Sequence, residues 1–388
     1  MRNSVLFVNP DYHCSFIYRD ELRRLGWRAN VYVPEGYPEA LLYSNNDILS
    51  MPNDLGYTYT GSRTDLFKKA WCSTKKLGWL LKNLISHKYL IFYGGLEAFP
   101  LLFGNKAHDD PQVLATLRLA RKLGNKIIQV PSGCLEEETR ENYSKFDGGN
   151  VCGNCGWGAE VCNDEKNVAR FNLVRKNANM VVGQGSLQST QFNDLQRHIK
   201  YKSLDLELWR PNLTIPSEHL LPETKNIRIL HSFYDKNRSK DGKNIKGSPH
   251  IIKAIKQLED EGHPVEHMYL RNKKLKDMRY YQAQADLVVE QLIYGWWGST
   301  GVETMSLGKP VICYLRPSAK ELFFQKFPEY KTLPIIEANI GNIYQVLKQL
   351  ITDKRLMQEK SEESRVFSLK HFDVKKNAKE LIAILRKL

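Results

Sequence analysis

The sequence predicts an α/β protein built from two Rossmann-like domains, each a doubly wound parallel sheet. Short apolar, β-branched segments typical of buried strands alternate along the chain with segments of helical periodicity. At 388 residues, the chain is too long for one ordinary core and fits two domains of about 150 to 200 residues. Residues 286–315 form the clearest unit, in which a buried strand, a glycine-rich loop, a helix and a second strand follow one another.

The first domain is predicted to span residues 1–205 and to open with a strand at residues 4–8. Its cysteine-rich insertion, residues 134–162, interrupts the alternation of strands and helices. Further strands are predicted at residues 29–33, 89–93, 126–130, 179–183 and 199–201, and helices at 16–25, 111–123, 163–177 and 186–195.

The second domain is predicted at residues 226–370, after a linker at 206–225 that contains Pro216 and Pro222. The tail, residues 371–388, is amphipathic at helical spacing. Strands are predicted at residues 227–231, 265–270, 287–290, 311–315 and 333–336, and helices at 249–261, 275–285, 299–307, 340–351 and 353–370.

Composition limits the class of protein. A hydrophobic fraction of 42% supports globular folding, and no run of about 18 apolar residues predicts a membrane span. The N-terminus lacks the pattern of a secretory signal, so we expect a cytoplasmic protein with reduced cysteines. A formal net charge of +14 indicates an anionic partner, which could be nucleic acid, an acidic membrane surface or a phosphorylated substrate.

The glycine-rich loop is a candidate ligand site. Gly295, Gly298 and Gly301 lack a Cβ and let the backbone approach a ligand closely, and a helix begins at Ser299 or Thr300. Ligands of open α/β sheets bind beyond the carboxyl ends of the strands, where helix N-termini attract anions. The alternative is an ordinary strand-loop-helix unit with no ligand.

The nine residues from Glu303, Glu-Thr-Met-Ser-Leu-Gly-Lys-Pro-Val, resemble the donor-binding segment of retaining GT-B glycosyltransferases of the family-four group. The resemblance implies two domains facing a cleft, and a final helix that crosses back to the first domain, which holds the acceptor. It also implies transfer of a sugar from a nucleotide diphosphate with retained configuration and no catalytic metal. Glu303 would bind the ribose hydroxyls. The family's earlier glutamate is replaced by Gly295, and Glu290 or Gln291, at the end of the preceding strand, would substitute for it.

The same resemblance assigns further residues. Arg238, Lys246 and Gly247 would hold the donor diphosphate, together with the helix start at Gly298, Ser299, Thr300 and Gly301. His13 and Tyr12 would meet the acceptor, and Ser132 and Glu97 would lie near the reacting sugar. The alternatives are a solvated basic turn around Arg238 and a solvated loop histidine at position 13.

Four of the seven cysteines, Cys134, Cys152, Cys155 and Cys162, fall within the glycine-rich insertion. The two-residue spacing of Cys152 and Cys155 lets two thiolates bind one ion, and four thiolates are the usual ligands of structural zinc. The sequence therefore predicts a closed, non-catalytic zinc site. Another metal cluster, a disulfide pair or plain thiols are the alternatives.

Residues 65–88 combine lysines with aromatic and aliphatic side chains at helical spacing. Such a helix can lie on an anionic membrane, although an ordinary surface helix packed on the sheet gives the same pattern. We therefore expect peripheral contact with the inner face of the membrane.

The functional expectation is a glycosyltransferase of surface polysaccharide or glycolipid assembly. Its partners would be a nucleotide-sugar donor, a saccharide or lipid-linked acceptor and an anionic membrane, with no nucleic acid. The alternative is a non-catalytic, zinc-containing basic protein that binds nucleic acid, which would leave the cleft loops unused.

Overall fold

The computed structural model describes residues 3–34, 37–44, 47–50, 63–96, 111–145, 150–158, 161–183, 192, 194–198, 202–233, 239–240, 242–271 and 273–388. These residues form two parallel sheets flanked by helices, which confirms the predicted fold class. Residues 97, 186–191 and 199–201, and the Arg238 loop, carried predictions that lie outside the described residues.

The first sheet has seven parallel strands in the order β3-β2-β1-β4-β5-β6-β7. The order reverses between β1 and β4, so the loops after these strands meet at one edge of the sheet. The elements of this half are β1 (Ser4–Val8), α1 (Cys14–Arg24), β2 (Arg28–Tyr32), β3 (Ile48–Leu49), α2 (Arg63–Ser86), β4 (Tyr89–Tyr93), α3 (Pro111–Lys122), β5 (Lys126–Val130), α4 (Cys134–Glu137), α5 (Arg140–Lys145), α6 (Asn150–Gly153), α7 (Asp164–Asn177), β6 (Met180–Gly183) and β7 (Gln196–His198).

The second sheet has five parallel strands in the order β11-β8-β12-β13-β14. A two-stranded antiparallel hairpin, β9 and β10, follows β8 in the chain and is not part of this sheet. Its elements are β8 (Ile227–Phe233), β9 (Ser239–Lys240), β10 (Lys243–Asn244), α8 (Ser248–Asp260), β11 (Val265–Arg271), α9 (Met278–Ala283), β12 (Leu287–Gln291), α10 (Ser299–Ser306), β13 (Val311–Cys313), α11 (Pro317–Lys326), β14 (Ile335–Glu337), α12 (Ile343–Thr352), α13 (Lys354–His371) and α14 (Val374–Leu385).

Local sequence explains most of these elements. The central strands β1, β4 and β12 are buried along their whole length, as continuous apolar runs of parallel sheets require. Asn163 caps α7 by accepting a hydrogen bond from the Lys166 amide, and Asp373 caps α14 through the Lys375 amide.

Several elements were not predicted. Strand β3 and the β9–β10 hairpin are built from strands of two residues, too short to show any periodicity. Helix α11 was missed even though Pro317 occupies its first turn, where proline is favoured. The cysteine-rich insertion, expected to be irregular, contains the three short helices α4, α5 and α6.

One hydrophobic cluster runs through both halves of the molecule. It joins Phe7 and Phe16 of the first half to Trp297 and Met305 of the second through Trp209, which is fully buried. The chain end ties the halves together. The Leu204 amide donates to the Phe372 carbonyl at 2.8 Å, and helix α14 packs against α1.

Among the residues that the structure describes, no helix is long and apolar enough to cross a membrane.

Candidate functional site

A cleft of about 370 Å³ lies where the carboxyl ends of both sheets face each other. Its first-half wall comes from the loops after β1 and β5, from α4 and from the cysteine-rich insertion. Its second-half wall comes from the loops after β8, β10, β11 and β12. The residues that concern its chemistry are Asp11, Tyr12, Ser132, Glu137, Trp157, Lys202, Lys246, Lys273, Glu290, Gln291, Tyr294, Gly298, Ser299, Thr300 and Glu303.

Glu290 reaches the cleft because the ladder between β12 and β13 is irregular at its end. The pairing shifts between Val289 and Gln291, which makes Glu290 the extra residue of a β-bulge. Its carboxylate turns toward the start of α10, where Oε1 accepts a hydrogen bond from the Gly298 amide at 2.7 Å. The N-terminus of α10, predicted to face a ligand anion, therefore already holds a carboxylate of the protein itself.

Two glycines make room for this carboxylate. An ideal Cβ on Gly298 would lie 2.8 Å from Glu290 Oε1, and one on Gly301 would lie 2.5 Å from Glu290 Oε2. Neither position could carry a side chain without displacing Glu290. The glycines at positions 298 and 301 thus allow the Glu290 carboxylate to approach the backbone closely.

Gly295 replaces the glutamate that the resemblance would place there, and its backbone shows why. It has a φ of +93°, a conformation that favours glycine, and an ideal Cβ would lie 2.7 Å from the Cβ of Arg316. A glutamate side chain cannot be accommodated at this position. Glu290 and Gln291, the two residues expected to substitute for that glutamate, both line the cleft.

Glu303 lies on α10 at the floor of the cleft and is 2% exposed. Its Oε2 accepts a hydrogen bond from the Gln282 side chain at 2.8 Å. Its Oε1 lies 3.4 Å from Nδ1 of His13, which comes from the first half of the molecule. This contact joins the two halves directly beneath the cleft.

The buried pair is neutral near pH 7. Burial, opposed by the Gln282 hydrogen bond and reinforced by Glu290, raises the pKa of Glu303 to about 8. Burial and the nearby charge of Lys202 lower the pKa of His13 to about 3. Burial also raises the pKa of Glu290, against the influence of Lys246 and Lys202. Glu303 and His13 therefore do not form an ion pair at neutral pH.

Oε1 of Glu303 is buried and has no hydrogen-bond partner among the described residues. Oε2 of Glu290 is also buried, and the Gly298 and Gly301 amides both interact with the Glu290 carboxyl group. A buried acceptor left without a donor is costly, so Oε1 of Glu303 is suited to a ligand that brings hydroxyl groups.

Three lysines, Lys246, Lys202 and Lys273, line the same cleft. Lys246 follows β10, and its carbonyl accepts a hydrogen bond at 2.9 Å from Leu292 in the loop after β12. The two segments predicted to hold the donor are thus tied together. Gly247 begins α8 with a φ of +78°, and Arg238 lies outside the described residues. A cleft with three cations and two carboxyl groups can bind an anionic ligand rich in hydroxyls.

The candidate site residues in the loops of the first half differ in whether they line the cleft. Ser132 lies on the cleft wall and is exposed, and Tyr12 lines the cleft as well. His13 is 1% exposed and packs against the Trp209 ring at 6.0 Å between centroids. The alternative of a solvated loop histidine is therefore wrong. His13 lies 3.4 Å from Glu303 and is not among the residues of the cleft wall.

The four cysteines of the insertion all line a second, smaller cavity behind Trp157. None of the four forms a disulfide bond with another cysteine of the described residues, and burial raises the pKa of Cys152 to about 11. Within the described part of the chain, no group of three or more His, Cys, Asp or Glu side chains is placed to hold a metal ion. The prediction of a zinc site is not supported by this arrangement, because sharing a cavity does not by itself create tetrahedral geometry.

Several cleft residues were missed by sequence reasoning. Lys202 and Gln282 belong to a segment and a helix without a distinctive motif, and only the fold brings them to Glu290 and Glu303. Glu137 ends the short helix α4, which follows the edge loop of β5, and that position was a usable signal. Trp157, two residues after Cys155, lines both the cleft and the cysteine cavity.

Sequence comparison finds no matching protein-family model and no matching curated protein. Comparison of structures does find relatives of the whole fold, and they are GT-B glycosyltransferases. The chain has the GT-B fold: two Rossmann-like, doubly wound parallel-sheet domains facing a cleft.

Three of the similar structures illustrate the extent of the match. Anabaena HepE, solved in complex with UDP and glucose, has a TM-score of 0.62 at 15% identity and covers 100% of both chains. Sucrose-phosphate synthase from Thermosynechococcus elongatus has a TM-score of 0.62 at 10% identity and covers 99% of this chain and 98% of that chain. An α-glucosyltransferase in complex with UDP and a 13-mer DNA has a TM-score of 0.55 at 11% identity and covers 98% of each chain.

Proposed function

We propose that this protein is a glycosyltransferase that transfers a sugar from a nucleotide diphosphate to an acceptor. The carrying observation is the pair of buried carboxyl groups of Glu290 and Glu303 in a cleft lined by three lysines. The carboxyls suit sugar and ribose hydroxyls, and the lysines suit a diphosphate. The complexes of HepE with UDP-glucose and of the α-glucosyltransferase with UDP support the donor class.

The chemistry requires stabilisation of the departing diphosphate. Lys246 would provide it from the second half, with Lys202 and Lys273 completing a positive wall. Arg238 would join them, as the resemblance implies. A preorganised donor at a developing anion typically contributes about 2 to 4 kcal/mol to transition-state stabilisation.

Glu303 would accept hydrogen bonds from the ribose hydroxyls, and Glu290 would do the same for the donor sugar. His13 would act as a positioning residue that holds Glu303 from below. Such hydrogen bonds orient the anomeric carbon toward the first half of the molecule.

Retention of the anomeric configuration follows from the family-four resemblance, and the leaving phosphate would accept the acceptor's proton. Charge neutralisation by lysines makes a divalent cation unnecessary, so EDTA should leave the rate unchanged. The proposed role is the assembly of surface polysaccharide or glycolipid. The alternative of a non-catalytic nucleic-acid-binding protein gains no support from the comparisons.

The test uses UDP-glucose and compares two lysines of the same loop. We expect Lys246→Ala to lower the rate of UDP-glucose turnover about 30-fold or more, since it removes a charge from the diphosphate site. Lys243→Ala, an exposed neighbour, should change the rate less than twofold. Equal rates in both variants would contradict the assignment of Lys246. Failure of the wild type to bind any of a panel of nucleotide sugars would contradict the proposed function.

We also propose that α2 makes peripheral contact with an anionic membrane. Leu80 and Leu84 pack inward on the sheet, whereas Trp71 and Ile85 are 58% and 52% exposed. Lys75 lies over the Trp71 ring at 5.1 Å, and Lys82 is exposed on the same face. Exposed aromatic and cationic side chains on one helical face suit a headgroup region.

Vesicle sedimentation measures this contact. On vesicles of phosphatidylglycerol and phosphatidylcholine, we expect the double variant Lys75→Ala, Lys82→Ala to bind roughly 30-fold more weakly, at about 1 kcal/mol per lysine. The charge-matched control, Lys326→Ala with Lys331→Ala, removes two exposed lysines of the second half and should bind like the wild type. An equal loss of vesicle binding in both double variants would show that binding depends on the net charge of the protein and not on α2.

A further inference from the structure

The cleft walls differ in the sign of their charge. Lys202, Lys246 and Lys273 surround the region of Glu290 and Glu303, where the donor is proposed to bind. Elsewhere on the first-half wall, the charged side chains that line the cleft in the described part of the chain are the carboxylates Asp11 and Glu137. The donor and acceptor sides of the cleft therefore favour different ligand charges.

Glu137 is held in place by two tyrosines. Its Oε2 accepts hydrogen bonds from the Tyr143 hydroxyl at 3.0 Å and from the Tyr294 hydroxyl at 3.2 Å. Glu137 and Tyr143 belong to the first half of the molecule, whereas Tyr294 belongs to the loop after β12. The carboxylate is 7% exposed and is fixed from both sides of the cleft.

The tyrosines remain hydrogen-bond donors at all ordinary pH values. Burial raises the pKa of Tyr143 and of Tyr294, and the Glu137 carboxylate adds to both shifts. Two neutral hydroxyl donors directed at one oxygen fix the orientation of the Glu137 side chain.

Trp157 adds an aromatic surface to the same wall. It is half-buried, and it separates the main cleft from the smaller cavity that the four cysteines line. The insertion also packs on the second half, where Tyr143 and Val151 contact Ile245, the neighbour of Lys246. The cysteine-rich insertion is therefore the element that builds this wall.

We propose that Glu137 and Trp157 form the acceptor subsite and that the acceptor group bound there is a neutral, hydroxyl-rich saccharide. A fixed carboxylate accepts hydrogen bonds from sugar hydroxyls, and an aromatic ring packs on the apolar face of a sugar. The carboxylates Asp11 and Glu137 repel uronic acids and phosphorylated sugars. This subsite assignment rests on the proposed function, because the position of the donor determines which wall of the cleft is available to the acceptor.

The experiment measures donor and acceptor separately on the full chain. Isothermal titration gives the Kd of UDP-glucose and, without nucleotide, of neutral disaccharides such as maltose, cellobiose and lactose. Transfer assays with UDP-glucose give the acceptor KM. We expect Glu137→Gln and Trp157→Ala each to raise the disaccharide Kd and KM tenfold or more, and to leave the UDP-glucose Kd within twofold. Trp157→Phe, which keeps a ring, should lose less.

Glu138→Gln is the matched control. Glu138 is 1% exposed and lies next to Glu137, but it accepts hydrogen bonds from the Thr139 amide and the Asn142 side chain and lines the cysteine cavity. This variant should bind disaccharides like the wild type.

Two results would overturn the subsite: unchanged disaccharide affinity in both Glu137→Gln and Trp157→Ala, or a wild type that prefers glucuronic acid, sugar phosphates or duplex DNA as acceptor. Absence of UDP-glucose binding in the wild type would instead count against the proposed function, and the titrations without nucleotide would still decide whether Glu137 and Trp157 bind a saccharide.

Discussion

Glu303 and His13 are polar residues that the protein buries at the junction of its two halves. Their side chains lie 3.4 Å apart, and burial shifts their pKa values in opposite directions, to about 8 for Glu303 and about 3 for His13. Both shifts favour the neutral form. The apo protein therefore keeps an uncharged acid at the place where a ribose is proposed to bind.

Stability should depend on pH through Glu303. Its pKa in the folded protein lies above the unfolded value of 4.5, so its stabilisation is full below pH 4.5 and is lost as the pH rises toward 8. His13 has the opposite sign, because its contribution is present above pH 6.5 and is lost as the pH falls toward 3. Between pH 6.5 and 8, Glu303 is thus the group of this pair that changes.

We expect Glu303→Gln to remove this dependence. Urea unfolding at pH 6.5 and pH 8 should show the wild type losing about 1 to 2 kcal/mol relative to the variant, which cannot ionise. Other titrating groups cancel in the difference between the two proteins. Parallel curves for the wild type and the variant would show that Glu303 is already ionised at pH 6.5.

At the scale of the element, the unit from β12 to α10 is organised around the Glu290 carboxylate. The bulge turns Glu290 out of the strand, and Gly298 supplies both the amide that it accepts from and the space that it occupies. The other heavy atoms near an ideal Cβ of Gly298 are 3.9 Å or more away. The need for glycine at position 298 should therefore depend on Glu290.

A double-mutant cycle tests this dependence. We expect Gly298→Ala to cost about 1 to 3 kcal/mol in the free energy of unfolding, because its Cβ would lie 2.8 Å from Glu290 Oε1. In a Glu290→Ala background, the same change should be nearly neutral, since the obstructing carboxylate is gone. Equal costs in the two backgrounds would locate the strain in the backbone.

Gly78 provides the control substitution in this cycle. It lies inside α2, and an ideal Cβ there meets nothing within 4 Å. Gly78→Ala should stabilise the protein by about 0.5 to 1 kcal/mol, because alanine loses less backbone entropy on folding.

At the scale of the whole molecule, the two halves share one hydrophobic cluster and are joined by the chain end. Helix α14 follows the second sheet in the chain but packs on α1 of the first half, and Asn377 donates to Ser203 at 2.7 Å. The cleft therefore sits above a continuous core, which predicts that the two halves unfold together.

Leu381 tests this coupling, because it is fully buried in α14 within the shared cluster. Calorimetry should show a single transition for the wild type, and Leu381→Ala should lower its stability by about 2 to 5 kcal/mol without splitting it. Leu369→Ala, at a residue that is 44% exposed, should change stability by less than about 0.5 kcal/mol. Two resolved transitions in the wild type would contradict the coupling.

The sequence by itself determined most of the strands, most helices and the two-sheet fold class. Continuous apolar runs such as β1, β4 and β5 are typical of strands that are buried on both faces of a parallel sheet. Strands β4 and β5 accordingly begin and end where predicted. It also brought Ser132, Lys246, Glu290 and Glu303 into consideration. Each lies at or after the carboxyl end of a strand, or in the loop and helix that follow a strand. The topology of a parallel sheet places such residues at the same edge of the sheet.

Only the tertiary structure decided the partners of these residues. Three sets of contacts join segments that are far apart in the chain. Glu303 lies beside His13 and Gln282, and the charge of Lys202 acts on Glu290. Glu137 accepts hydrogen bonds from Tyr143 and Tyr294. Local patterns carry no information on such contacts, because they arise only when the two sheets meet. The same holds for the four cysteines. Their spacing indicated a metal, but they line one cavity in which the described residues form no group of three or more side chains placed to hold a metal ion.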